Sequence, residues 1–397
     1  MARLEHITAG ESHGAACVTV VSGMPAGLHV EAAAIDVELA RRQRGYGRGA
    51  RQRIEDDRVE FLSGLRDGAT IGSPVVMLVR NKDSRIDDAE KTPPMFQPRP
   101  GHADLAGAIK YLTTDARGVV ERASARETAS RTMAGALAHV LLREVGIEVI
   151  GFVRAIGGVE TGVRVDASNA RDLRARRDAS DVACPDETIA EKMRAVIREA
   201  KENQDTLGGV VEAHVFGCPP GLGSCMDWRD KLDSRLAAAA MGIQAIKGVE
   251  IGLGFEAARR AGSRVHDEIH FDPTSRGDRT LGFTRPTNNA GGLEGGMTNG
   301  QAIVVRAAMK PISTLLKGMQ SVDLNSKEAA RSVHERSDVC AVPAASVVLE
   351  NVVAFEVARA LLEKFAGDTM VELRQSLERY LEDARLLPAS PPEMRLA

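Results

Sequence analysis

Apolar residues recur at helical spacing in five stretches of the chain. Residues 31–44 set Ile35 and Leu39 on one face and stop at Gly45, a residue suited to ending a helix. Residues 125–145 open behind Ser124, with Glu127 three positions on, and close before Gly146; that Ser–Glu spacing predicts a capping box. Residues 187–202 align Ile189, Met193, Val196 and Ala200, and residues 229–247 align Leu232, Leu236, Ile243 and Ile246 before Gly248. A fifth pattern runs from Pro343 toward Gly367. Strands are expected at 18–22, 75–80, 147–153, 210–216 and 301–309, the last with Ile303, Val305, Ala307 and Met309 in alternation.

This order of elements repeats. Gly23-Met24-Pro25-Ala26-Gly27-Leu28 returns 194 positions later as Gly217-Cys218-Pro219-Pro220-Gly221-Leu222, and the same offset pairs Gly14, Asp36 and Arg41 with Gly208, Asp230 and Arg235. A second block, Gly64-Leu65, Gly68, Thr70, Gly72 and Lys82, falls 228 positions on at Gly292-Leu293, Gly296, Thr298, Gly300 and Lys310. The longer offset places an insertion within residues 255–290. Two related halves, 1–200 and 201–383, are implied: an α+β fold of layered β-α-β units with an internal pseudo-twofold repeat and a site at the junction. Residues 83–98 and 167–186 are candidate linkers and 384–397 a polar tail, but none is long enough to part independent domains. The expectation is one domain over 1–397.

Composition narrows the function. The 397 residues are 43% hydrophobic and 27% charged, an ordinary balance for a folded chain. A net charge of −3 supplies no overall basic field for nucleic acid or a membrane surface, so any anion must be caught locally. Cys17, Cys184, Cys218, Cys225 and Cys340 form no CxxC pair and have no metal-ligand spacing, which fits reduced thiols in a cytoplasm. No secretory leader is expected, since the first fifteen residues carry Arg3, Glu5, His6, Glu11 and His13, and no uncharged apolar run reaches a membrane span. At 3% aromatic, the chain is also poor in base-stacking surface.

Candidate chemistry lies in several motifs. Gly10-Glu11-Ser12-His13-Gly14 fits the GxSxG of a serine hydrolase, yet a strand, not a helix, follows it. The alternative is a tight strand-to-strand turn exposing Ser12 and His13, with His13 a proton donor near neutral pH. Arg41, Arg42, Arg44, Arg48, Arg51 and Arg53, interleaved with Gly45, Gly47 and Gly49, suit an RNA-binding segment or, preferably, a loop closing over a small anion. Partners for it are offered by Arg99-Pro100-Gly101-His102-Ala103-Asp104 and by the helix start at Glu121 to Glu127, where Arg122 and Arg126 flank free amides. The run from Gly291 to Gly300 is neither a Rossmann turn nor a P-loop, but its glycines permit close approach of main chain to a ring or phosphate.

Taken together, GESHG, RRQRGYGRG, RPGHAD, ERASARETASR, DTLGGVVE, MGIQAIKGVEIG, GGLEGGMTNGQ, KPIST and RSDVCAVPA resemble the chorismate synthase family, in the family's order from residue 10 to residue 343. The resemblance implies a lyase of the shikimate pathway, serving aromatic amino acid biosynthesis. It converts 5-enolpyruvylshikimate 3-phosphate to chorismate by 1,4-anti elimination of phosphate, and it requires reduced FMN (FMNH2) without net redox change. It implies that Arg42, Arg48, Arg99, Arg122 and Arg336, with Ser12, hold the substrate. His13 would protonate the departing phosphate, His102 would serve the reduced flavin near N1, and Asp338 would help its N5 accept the ring hydrogen. The flavin contacts implied are Arg122, Ala123, Ser124, Gln244, Ala245, Gly295, Lys310, Pro311, Ile312, Ser313, Thr314 and Arg336. Also implied is a homotetramer. With no nicotinamide fingerprint or additional domain, the flavin would arrive reduced by an external flavin reductase. Arg42 and Arg48, sometimes assigned to NADP in the family, are read as substrate contacts. Residues 81–97 and 256–288 match no motif of the family.

Overall fold

The structure, a computed structural model, describes residues 3–49, 54–332 and 338–387. The chain begins with β1 (Glu5–Ala9), β2 (Ala16–Ser22), α1 (Ala32–Gln43) and β3 (Glu60–Ser63). A hairpin of β4 (Leu65–Arg66) and β5 (Ala69–Thr70) leads into β6 (Val75–Arg80), followed by α2 (Asp104–Lys110), α3 (Arg117–Ala123) and α4 (Thr128–Arg143). Next come β7 (Glu148–Ile156), β8 (Val159–Glu160), α5 (Ala170–Ala179), α6 (Glu187–Glu202), β9 (Gly209–Phe216), α7 (Leu232–Met241) and β10 (Ile246–Ile251). The insertion holds the short pair β11 (His270–Phe271) and β12 (Phe283–Thr284). After the hairpin β13 (Leu293–Glu294) and β14 (Met297–Thr298) stand β15 (Ile303–Met309), β16 (Gln320–Val322), β17 (Ala329–Arg331), α8 (Val342–Lys364) and α9 (Met370–Arg385).

One sheet has the order β1-β2-β6-β3 and the other β10-β15-β9-β7-β8, every pair antiparallel. Alternate residues face the helices between them: Cys17, Thr19 and Val21 on β2, Val211, Ala213 and Val215 on β9, Ile303, Val305 and Ala307 on β15 are all buried. Helices α4 and α8 pack on each other in that middle layer. They come so close that a Cβ on Gly135 would stand 2.3 Å from the Asn351 carbonyl oxygen, which only glycine allows. Covered on all sides, α8 buries nearly every residue from Val342 to Ala358, so its sequence shows no polar face.

The two Pro-Gly turns make matching hydrogen bonds. Thr70 Oγ1 donates to Pro25 O (2.6 Å) and accepts from Leu28 N (2.9 Å), tying the Pro-Gly turn to hairpin β4–β5. Thr298 Oγ1 donates to Pro219 O (2.6 Å) and accepts from Leu222 N (2.8 Å), tying the second turn to β13–β14. Leu65 faces Thr70 across the first hairpin as Leu293 faces Thr298 across the second.

Several expectations are corrected. Strand β7 bonds to β9 along most of its length, so the sheets divide the chain near residue 147, not 200. The helix expected over 229–247 spans only Leu232–Met241, because Ala245 adopts a left-handed backbone (φ +67°) and Ile246 opens β10. The candidate linker 167–186 contains α5, anchored by buried Leu173 and Arg177. The tail begins inside α9, whose Leu373, Leu377 and Leu381 make a buried stripe behind a Thr369–Glu372 capping box; residues 388–397 lie outside the described residues. The box expected at Ser124 does not form: Ser124 Oγ accepts from Arg126 N, while the Glu127 carboxylate turns to Thr8, Gln244 and Arg131. Among the described residues no helix is long and apolar enough to cross a membrane.

Candidate functional site

The turn at residues 10–14 joins β1 to β2, as expected of a strand-to-strand turn and not of a nucleophile elbow. Gly10 has a φ of +104°, and a Cβ there would lie 2.2 Å from Ala16 O, so the position needs glycine on both counts. The turn is closed from outside. Asn81, placed by the β2–β6 register just past Arg80, donates through Nδ2 to Gly14 O (2.8 Å), Glu11 O (3.1 Å) and Ser12 O (3.3 Å). Ser12 N donates to Glu121 O (2.9 Å), and Ser124 Oγ lies 3.1 Å from Ser12 Oγ.

His13 is buried against the end of α3. Its backbone N–H donates to Glu121 Oε2 (2.8 Å), and its ring Nδ1 lies 2.9 Å from Glu121 Oε1. Burial pushes the Glu121 carboxyl up, but hydrogen bonds from the His13 ring and backbone outweigh it and hold the group below its ordinary value. The carboxylate is therefore ionised and can only accept, so the Nδ1 of His13 carries the hydrogen. The other ring nitrogen, Nε2, faces Arg85 Nη2 at 3.2 Å and Asp83 Oδ2 at 3.7 Å.

Arg41, Arg42 and Arg48 turn inward while Arg44 is exposed, which counts against the RNA-binding reading of this segment. Arg41 pairs with Glu38 and Glu350, Arg42 Nη2 with Asp57 (2.7 Å), and Arg48 Nη1 with Asp338 (2.8 Å), whose other oxygen accepts from Gly49 N (2.6 Å). Residues 51–53 lie outside the described residues. Asp57 also receives Arg126 Nη1, whose Nε donates to Asn81 Oδ1 (2.8 Å), so the arginine cluster and the GESHG turn share one hydrogen-bond network. Burial pulls Arg42 below its ordinary pKa; Asp57 opposes this, and Arg126 and Arg48 add to the fall. The anion site expected where Arg122 and Arg126 flank a helix start is thus half dismantled, since Arg126 serves the interior. Arg122 is exposed and, among the described residues, donates only to uncharged oxygens, Thr8 O, Thr8 Oγ1 and Gly10 O, each at 2.9 Å.

A second group forms around Asp104. This buried carboxylate takes both Arg99 Nε (2.8 Å) and Nη2 (3.0 Å) and the Nδ1 of His102. Burial would raise Asp104, yet those hydrogen bonds hold it far below the carboxylate range. His102, like His13, thereby has a carboxylate on Nδ1. Arg99 Nη1 reaches Thr314 Oγ1 (3.1 Å), Lys310 Nζ reaches Gly101 O (2.8 Å), and Ile312 O accepts from Thr206 Oγ1 (2.7 Å), so the Lys310-Pro311-Ile312-Ser313-Thr314 segment is moored beside His102. Burial, with Lys247 nearby, holds the Lys310 ammonium below its ordinary value.

Gln244 and Ala245 link the two groups. Gln244 Nε2 donates to Glu127 Oε2 (3.0 Å), Glu127 holds Thr8 beside Arg122, and Ala245 O accepts from Lys310 N (2.9 Å). Ser12, His13, Arg42, Arg48, Arg99, His102, Arg122, Ala123, Ser124, Gln244, Ala245, Lys310 to Thr314 and Asp338 thus fall into neighbouring networks. Gly295 does not: it sits in the β13–β14 turn, and the atoms nearest a Cβ there belong to Cys225 and Met297. Arg336 lies outside the described residues. Sequence reasoning missed Asn81, Asp57, Asp83 and Arg85, which carry no local signal; Glu121 and Asp104 stood inside quoted motifs without a role.

Comparison with known proteins bears on what this arrangement does. A family model described as chorismate synthase matches residues 4–362. A chorismate synthase of Desulforudis audaxviator is 53% identical over 393 residues, 96% of this chain and 98% of that protein. One of Geobacter metallireducens is 52% identical over 395 residues, 96% and 99% of the two chains. A crystal structure of a chorismate synthase superposes with a TM-score of 0.79 at 40% identity, covering 97% of this chain and 99% of that one.

Proposed function

The chain belongs to the chorismate synthase family, and from that membership we propose how its residues serve the reaction. It is a lyase of the shikimate pathway, eliminating phosphate from 5-enolpyruvylshikimate 3-phosphate to give chorismate. The serine-hydrolase reading of GESHG is set aside on the same ground.

In this reading His13 gives the proton that lets phosphate depart from carbon, easing the charge that builds on the leaving oxygen. Arg122 and Lys310 are matched only by uncharged oxygens in the hydrogen bonds described above, so their charge is available to an anion. Arg42, Arg48 and Arg99 each already face a carboxylate and would serve the substrate by exchanging or sharing those partners.

The observation that carries the cofactor assignment is Gln244. Its Oε1 is buried without a hydrogen-bond partner among the described residues, an acceptor that the ring imide N–H of a flavin would satisfy. Arg122, Ser124, Gln244, Ala245, the Lys310–Thr314 segment and His102 would hold reduced FMN, and Gly295 is retained only as a contact supplied from another direction. When bound, reduced FMN supplies an electron-rich ring that assists loss of the ring hydrogen with no net oxidation. Asp104 keeps the Nδ1 hydrogen of His102 in place, and Asp338 stands ready beside Arg48.

We further propose one cytoplasmic domain whose two sheets are related by a pseudo-twofold axis, a reading supported by the paired Thr70 and Thr298 networks. A homotetramer supplied by an external flavin reductase completes it; Met226 and Trp228, 90% and 74% exposed, favour a covered face. The test is anaerobic phosphate release from 5-enolpyruvylshikimate 3-phosphate with reduced FMN. Release is expected with reduced but not oxidised flavin, and His13→Ala should slow it about 10²-fold or more. Equal release without flavin overturns the cofactor assignment.

A further inference from the structure

We propose that Glu121 is the positioning residue for His13: its carboxylate takes the Nδ1 hydrogen of the imidazole, so that Nε2 alone is presented to the departing phosphate and the doubly protonated ring is stabilised there. This rests on the reading of His13 as the proton donor and goes beyond it by saying what sets the ring's tautomer, orientation and charge.

Three observations carry it. The first is geometry. Glu121 grips His13 twice, Oε2 on the backbone N–H (2.8 Å) and Oε1 on Nδ1 (2.9 Å), while its own backbone carbonyl takes the N–H of Ser12 (2.9 Å). Ring and main chain are therefore referenced to one residue, at the last turn of α3. The second is burial. The Glu121 side chain is 1% exposed, where a charge interacts with its neighbour more strongly than in water. The third is the chemistry at Nε2. A guanidinium has donors only, so the Arg85 Nη2 contact at 3.2 Å requires Nε2 to be a lone-pair acceptor in the resting ring. Resting His13 is then neutral with hydrogen on Nδ1, as the Glu121 contact independently demands.

To act as an acid, His13 must take a proton from solvent on Nε2, which displaces Arg85 from that nitrogen. Arg85 Nε is held by Asp83 Oδ1 (2.9 Å), and Asp83 Oδ2 is 3.7 Å from Nε2, so that carboxylate can accept the new N–H until phosphate replaces it. An incoming phosphate dianion would draw the Arg85 guanidinium to itself and leave Nε2 open. Among the described residues the charged groups facing His13 are Glu121, with Arg117 3.7 Å behind it, from α3, and Asp83 and Arg85 from the loop after β6; Glu11 belongs to its own turn. Among the described residues Glu121 is the carboxylate that meets Nδ1, where its charge is a counter-ion for the imidazolium.

The test is Glu121→Gln in the full-length enzyme with reduced FMN. Glutamine preserves the side chain's shape and deletes the charge; its single oxygen serves either Nδ1 or the backbone N–H of His13, so one of the two grips is lost as well. We expect kcat to fall about 10-fold or more with little change in KM, and the alkaline limb of the kcat–pH profile to move down by about one pH unit, because the imidazolium loses its counter-charge. In a His13→Ala background the same substitution should have no further effect on kcat. An unmoved limb, or an equal fall with and without His13, overturns the proposal and leaves His13 as donor. A His13→Ala enzyme with undiminished turnover overturns the donor reading itself and this proposal with it. Should the variant not fold, 15N NMR of the unaltered enzyme decides: neutral His13 protonated on Nδ1 is expected, and protonation on Nε2 refutes it.

Discussion

Replacing Asn81 by alanine should both destabilise the fold and loosen the turn that carries His13. The amide is buried, donates to the carbonyls of Glu11, Ser12 and Gly14, and accepts from Arg126 Nε. An NH2 group has two hydrogens, so it fully satisfies two of the three carbonyls, the Gly14 contact at 2.8 Å being the shortest. Two neutral bonds at about 1 kcal/mol each and one to a charged guanidinium at about 1.5–3 kcal/mol put the loss near 4 kcal/mol. A urea series gives the stability, and phosphate release at substrate saturation gives the activity. kcat should fall at temperatures where the variant is still folded, since the backbone of His13 belongs to the released turn. Asn81→Asp should also destabilise, because it turns a donor that faces three carbonyl oxygens into an acceptor. A loss below about 1 kcal/mol for Asn81→Ala would show that the side chain does not hold the turn, and the account of how His13 is placed would fail.

Thr70→Val and Thr298→Val each strand one prolyl carbonyl and one leucyl N–H, so each should cost about 1–3 kcal/mol in urea unfolding, and the two costs should agree within about 1 kcal/mol; widely different costs would deny the equivalence of the two turns. Burial raises Asp57, Asp104, Glu121 and Glu350, yet their cationic and hydrogen-bonding partners leave each below its ordinary value. The unfolded chain therefore takes up protons first: the stability these groups contribute is present above their unfolded pKa, about 4, and is lost as pH falls through the lower folded values. The urea midpoint should stay level from pH 7 to about 5 and drop below about 4, with a shallower drop in Asp104→Asn; a midpoint that rises on acidification refutes the sign.

Local physics settled a good deal before any coordinate. Apolar period placed α1, α6 and α8 and five strands within a few residues, because those signals come from one face or one alternation of neighbouring side chains. The Gly-Pro and Gly-Thr blocks marked two similar turns, since a left-handed glycine and a bridging threonine stand at the same point of each. The motifs brought in their family resemblance, which gave the overall chemistry and offered His13 and His102 as candidates for it.

What the sequence could not decide is who faces whom. Arg42, Arg48 and Arg126 read as free cations for a ligand, but packing gives them Asp57, set in an unremarkable string of charge, and Asp338, whose motif gave no sign of an arginine partner. Asn81 closes the GESHG turn only because the β2–β6 register sets it there, and one residue of slip would face it the other way. Glu121 reaches His13 from 108 positions away, a pairing that no periodicity encodes. Side-chain types and local turns are written along the chain; charge compensation and the tautomer of the His13 imidazole depend on distances of about 3 Å between distant segments, and those exist only once the sheets and helices have packed.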